Sequence, residues 1–167
     1  MLSSVINVFM NKIRLLLAVV SAFSIFVSCE APPTSISGQS PDYHGEMTVL
    51  YENESFVQRG IEVKAQFDED KGTLDIMLKK VKFVPAMPVR IDVTIMNIPC
   101  SENADETFTF AADDLVPWAM GGLYDTYRVD DLVGTISDGE LLFEMVFFNT
   151  KKNAGYPTTY VGKLQTD

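Results

Sequence analysis

The feature that most constrains this chain is a period-two alternation of apolar and polar residues that returns, segment after segment, from Tyr43 to Leu164. Successive side chains of a strand point to opposite faces, so each segment of this kind can bury one face and wet the other. In residues 45–51 Met47 and Val49 alternate with Glu46 and Thr48. In 56–67 Ile61, Val63, Ala65 and Phe67 oppose Glu62, Lys64 and Gln66. Leu74, Ile76 and Leu78 oppose Asp75, Met77 and Lys79, with Val81 and Phe83 beyond them, and Val89, Ile91, Val93 and Ile95 oppose Arg90, Asp92 and Thr94. Shorter segments follow at 106–110, 128–137, 140–149 and 158–164, with Leu141, Phe143, Met145 and Phe147 marking one buried face. Leu142, Val146 and Phe148 make the other face of that segment apolar too.

Turn chemistry separates the segments. Asp68-Glu69-Asp70-Lys71-Gly72 and Ser137-Asp138-Gly139 suit hairpins, the latter through an Asp-Gly pair that tolerates positive φ. Pro85 and Pro88 break the ladder, since proline has no amide donor. Residues 111–125, with Pro117, Trp118, Gly121 and Gly122, are the least regular stretch and are expected to form a loop or one short helical turn. About eight antiparallel strands at regular spacing predict an all-β fold, a single up-and-down barrel that closes its own edges. The rival immunoglobulin-like sandwich often buries a tryptophan on an early strand, whereas Trp118 stands in the mid-domain irregular stretch.

The N-terminus carries an address. Lys12 and Arg14 precede an apolar run, residues 15–27, broken only by Ser21 and Ser24 and ending at Phe26-Val27-Ser28-Cys29. The run falls short of the roughly 20 apolar residues a membrane span needs. It has the layout of a lipoprotein export signal, in which the thiol is acylated and becomes the first mature residue. The expected organisation is a signal peptide over 1–28, a lipidated Cys29 with a Pro/Ser/Thr-rich flexible tether over 29–42, and the barrel over 43–167. Met10 is an alternative start. Each buried methylene contributes about 0.8 kcal/mol, so two or three long chains such as palmitate would anchor the protein durably. Glu30 is not the Asp that retains lipoproteins at an inner membrane, which favours an outer-membrane, lipid-anchored place in a bacterial envelope.

All 23 acidic residues follow Cys29, with all but two of the 13 basic ones, so the mature chain has a net charge near −12. Such a field repels phosphate backbones, and nucleic-acid binding is excluded as a leading class. With Cys29 acylated, Cys100 is the remaining thiol and no intramolecular disulfide is available. A small thiol buried at a strand end accounts for it better than a nucleophile whose one conceivable base is the sole histidine, His44.

Four stretches, Tyr43-His44-Gly45-Glu46-Met47-Thr48-Val49, Gly72-Thr73-Leu74-Asp75-Ile76-Met77-Leu78, Met87-Pro88-Val89-Arg90-Ile91-Asp92-Val93 and Ser137-Asp138-Gly139-Glu140-Leu141, together resemble bacterial calycin-like β-barrel lipoproteins. The resemblance spans nearly the whole mature domain and implies a lipocalin-like eight-stranded barrel. It transfers no site residue. Lipocalins carry Gly-x-Trp on the first strand, where this chain has Gly45-Glu46-Met47.

Candidate sites are few. His44 lacks the further His or Cys partners a metal site uses, and Asp113-Asp114 and Asp130-Asp131 lack the spaced oxygens of a calcium loop. No metal, cofactor or catalytic set is expected. Trp118, Met120, Tyr124 and Tyr127 beside Gly121-Gly122 are the candidate ligand-binding residues, as a lid or lining at one barrel mouth; the competing expectation is that they plug that end as core. The expected function is a non-enzymatic binding module for a small apolar or amphipathic ligand. The alternative is a filled barrel that contacts an envelope protein.

Overall fold

Ten antiparallel strands follow the alternation in a computed structural model, which describes residues 41–104 and 107–166: β1 (Asp42–Tyr51), β2 (Glu54–Asp68), β3 (Thr73–Val81), β4 (Ile91–Glu102), β5 (Phe108–Ala112), β6 (Trp118–Ala119), β7 (Gly122–Leu123), β8 (Tyr127–Ser137), β9 (Glu140–Asn149) and β10 (Ala154–Leu164). The export signal, Cys29 and most of the expected tether lie outside the described residues. Asp42, placed in the tether from sequence, opens β1 and pairs with Lys64 at 2.9 Å.

The eight barrel strands run in the order β3-β2-β1-β10-β9-β8-β5-β4, and β4 pairs back with β3. That closes an eight-stranded, up-and-down barrel with every neighbour antiparallel. Following the paired register once round from Glu102 returns to β4 near Ile91, about ten residues along, the stagger that tilted strands of a closed barrel require. The tiny β6–β7 hairpin lies outside this count. β5 is short and pairs β4 at residues 100–102, so β6 takes the free edge of β4 through Val93↔Ala119 and Thr94↔Trp118. The stretch expected to be a loop or helical turn is therefore a hairpin, because the open seam of β4 offers it hydrogen-bond partners.

The barrel has two distinct ends. At the base lie Asp42, where the chain enters, the β2–β3 and β8–β9 turns and the end of β10; at the top lie the 82–90 loop, the β6–β7 hairpin and the β9–β10 turn. The inside is apolar. Met47, Val49, Val63, Leu74, Ile76, Leu78, Val93, Ile95 and Leu141 have no exposed surface at all. Phe83 stacks on Phe147 with ring centres 3.6 Å apart, and Phe143 stacks on Tyr160 at 5.2 Å. A ligand-sized void would leave accessible surface on its lining, so this lining describes a barrel filled by its own side chains.

Bulges mark where alternation slips. Gly45 pairs Ile61 but Glu46 pairs Arg59, leaving Gly60 unpaired at φ +65°. The slip turns Gln58 inward, to 3 % exposure, on what would otherwise be the solvent face. A second slip at Asn97, φ +58°, shifts the buried set of β4 from Val93 and Ile95 to Ile98. Val89, expected inside, is 57 % exposed because the strand starts only at Ile91. The strand expected at 106–110 is Phe108–Ala112.

Candidate functional site

The four aromatic-loop candidates divide into two pairs. Tyr124 and Tyr127 turn inward: Tyr127 stacks on Phe147 at 4.8 Å and Tyr124 on Tyr127 at 4.9 Å, extending the Phe83–Phe147 stack to the top of the barrel. Tyr124 N also donates to Pro117 O at 2.8 Å. These two plug the end. Trp118 and Met120 turn outward, 41 % and 77 % exposed, so the structure does not gather the four into one pocket.

The outward pair belongs to a raised apolar element. Ala119 packs inward beside Val93, which leaves Trp118, with its cross-strand partner Leu123, on the outer side. Met120 and Gly121 make the two-residue turn with φ of +54° and +88°. That turn demands positive φ twice, and Gly or Asn meets it without cost; a methionine there is strained by about 1 kcal/mol and stands in solvent. Leu123 is 65 % exposed and Val116 40 %. Carboxylates flank the element. The two acidic pairs of the sequence meet around Arg128, which pairs Asp114 at 2.9 Å and Asp130 at 3.7 Å, while Asp131 N donates to Asp113 Oδ1 at 3.0 Å. Partial burial raises the Asp130 carboxyl above the usual carboxylate range; Arg128 opposes this and the neighbouring aspartates reinforce it.

A second apolar surface lies on the outer wall. Val133, Leu142 and Val161 line an open depression of about 430 Å³ across β8, β9 and β10, with Thr109, Thr135 and Thr159 between them. Leu50 and Val57 are exposed on the neighbouring strands. The rest of the outer wall is charged, with Arg59–Glu46 at 3.0 Å, Lys79–Asp92 at 3.1 Å and Lys163–Glu140 at 3.2 Å. An apolar inside and an ion-paired outside invert the plan of a membrane-spanning barrel, whose outer band is apolar and whose interior is polar.

His44 is exposed on β1, and no group of His, Cys, Asp or Glu among the described residues is arranged to hold a metal ion. Cys100 is half-buried on β4, where its amide donates to Gly72 O at 3.1 Å. Sequence reasoning missed Gln58, whose burial had one signal, the Gly60 that follows it within a strand.

No family model and no curated protein sequence compared with the chain matches it. Among solved structures, the chain is similar to a Bacteroides fragilis protein provisionally named an outer membrane protein, with a TM-score of 0.57 and 16 % identity. The likeness covers 74 % of this chain and 50 % of that one, so this chain spans half the length of its neighbour. At that identity the likeness is one of fold, and it supports the barrel.

Proposed function

We propose that this protein is a bacterial envelope lipoprotein, acylated at Cys29, whose filled barrel works by surface contact with an envelope protein through the Trp118–Leu123 hairpin. The observation that carries the reading is the contrast between an interior with no room for a guest and a hairpin that leaves a Trp, a Met and a Leu in solvent. Exposed clusters of this kind mark interaction sites, and Trp is the residue type most enriched among interface anchors. The name of the structural neighbour agrees with an envelope address. Orientation fits as well. Asp42, the first residue of β1, lies at the base, where the tether to Cys29 enters, and the hairpin lies at the opposite end of the barrel.

A second reading has its own observation. The apolar depression on the β8–β10 wall is of a size to take a small apolar ligand, outside the barrel rather than within it. A photo-reactive residue at position 120, used in the native host, separates the two. The contact reading expects one protein cross-link that vanishes with Trp118→Ser and Leu123→Ser while palmitate incorporation, lost only with Cys29→Ser, stays. No cross-link, together with an extractable apolar compound whose binding Leu142→Ser abolishes, would replace it with the ligand reading.

A further inference from the structure

A polar recess of about 510 Å³ opens on the outer wall over β1, β2, β3 and the start of β4, apart from the apolar depression. Two slips in the pairing make it. In β2 Gly60 stands unpaired at φ +65°; in β3 the register slips between Leu78 and Val81, with Lys80 at φ +52°. Positive φ at a lysine is strained, and a strained residue beside a second bulge is a feature the surrounding structure has to hold in place.

A bonded network holds it. Asp92 Oδ1 accepts from Lys80 N at 2.9 Å and its Oδ2 from Lys79 Nζ at 3.1 Å. Arg90 Nη1 donates to Lys80 O at 3.0 Å and to Gln58 Oε1 at 3.2 Å. Gln58, buried, is itself fixed by Lys82, donating to its carbonyl at 2.8 Å and accepting from its amide at 3.0 Å. The inward turn that the Gly60 bulge gives Gln58 thus positions an arginine on the outer surface.

Around the recess stand Arg59, Lys79, Lys80 and Arg90, with His44, against two lining carboxylates, Glu62 and Asp92, and a third, Glu46, that pairs Arg59 at 3.0 Å. Asp92 is already committed to the bulge. The result is a local cationic excess in a chain whose mature net charge is near −12. Arg90 uses one nitrogen on protein acceptors and keeps further donors of its planar fork for a ligand. We propose that this recess binds a phosphoryl group, with Arg90 and Lys80 as its principal donors and Arg59, exchanging its exposed pair with Glu46, as a third. The exposed position and the flanking carboxylates set a weak, salt-sensitive affinity.

The test is a backbone-amide chemical-shift titration of the mature chain with sodium phosphate, against sodium chloride at equal ionic strength. Saturable shifts at Gly60, Lys80 and Arg90 with phosphate alone are expected. Lys80→Gly removes a cation at a backbone position that suits glycine, so it keeps the fold, and it should weaken binding about threefold; Arg59→Ala, at a mostly exposed side chain, should act in the same direction. Shifts that chloride reproduces, shifts spread evenly over all lysines, or unchanged affinity in both variants would overturn the proposal. Sedimentation with phosphatidylglycerol vesicles, against phosphatidylcholine vesicles, then identifies the source. Cosedimentation that Lys80→Gly weakens assigns the group to a lipid headgroup, and phosphate binding without it assigns a free or glycan-borne phosphate.

Discussion

The barrel interior around Tyr160 and the hairpin around Trp118 treat an aromatic side chain in opposite ways. Tyr160 is 1 % exposed, and its hydroxyl shares its one proton between Tyr43 O at 3.0 Å and Ile61 O at 3.1 Å, across the β1–β2 bulge. Its ring lies over Gly162, where an added Cβ would come within 2.3 Å of the phenolic oxygen. Opposite, a Cβ on Gly45 would meet Val161 O at 2.0 Å. Around Trp118, by contrast, Gly121 and Gly122 have nothing within 4 Å of an added Cβ. One region cannot accept a methyl group; the other holds a tryptophan, a methionine and a leucine against water. The difference teaches that stability here is settled inside and at the β1–β10 seam, and that the hairpin's residues are free to be chosen for something else.

The comparison is broken most easily from the packed side. Gly45→Ala should destabilise the fold by about 3 kcal/mol, because the clash is with backbone and no rotamer relieves it. Denaturant unfolding would show this as a lower midpoint, and an unchanged midpoint would mean that the seam is looser than described. Tyr160→Phe should cost about 2 kcal/mol, since the hydrogen bond that the phenol shares between Tyr43 O and Ile61 O is lost in a dry site.

Alkaline pH probes the same region. Burial pushes the Tyr43 hydroxyl up from 10.0 to about 12, and burial raises that of Tyr160 as well. The folded state then holds protons that the unfolded chain releases, so this contribution to stability is complete below pH 10 and is lost as the pH rises from 10 to 12. Phenolate absorbance should appear together with unfolding across that window. Ionisation of both tyrosines in a still-folded protein would contradict their burial.

The smallest effects belong to the hairpin. Trp118→Ala should change stability by no more than about 0.5 kcal/mol, and Met120→Gly should raise it by about 0.5 kcal/mol through relief of its positive φ. A large loss in either variant would make the hairpin part of the core and remove the contrast.

Much of the barrel could be read from residues alone, because period two is written into Leu141, Phe143, Met145 and Phe147, and Asp138-Gly139 takes the two positive φ values its turn requires. The slips were not legible where the bulged residue is not glycine. Lys80, Asn97 and Asp131 hold positive φ with no local signal, since pairing with the neighbouring strand sets it. The site was half legible. Composition singled out Trp118, Met120, Tyr124 and Tyr127, yet which of them turn inward depends on β6 finding the free edge of β4, a long-range partner invisible to a window of sequence.

Native mass spectrometry of the unacylated mature chain, purified from its own host and measured before and after organic extraction, tests the filled interior most directly. The account predicts one bare mass, unchanged by extraction. A reproducible extractable mass that persists when both the hairpin and the β8–β10 wall are made polar, by Trp118→Ser, Leu123→Ser and Leu142→Ser, would place a guest inside the barrel and contradict it.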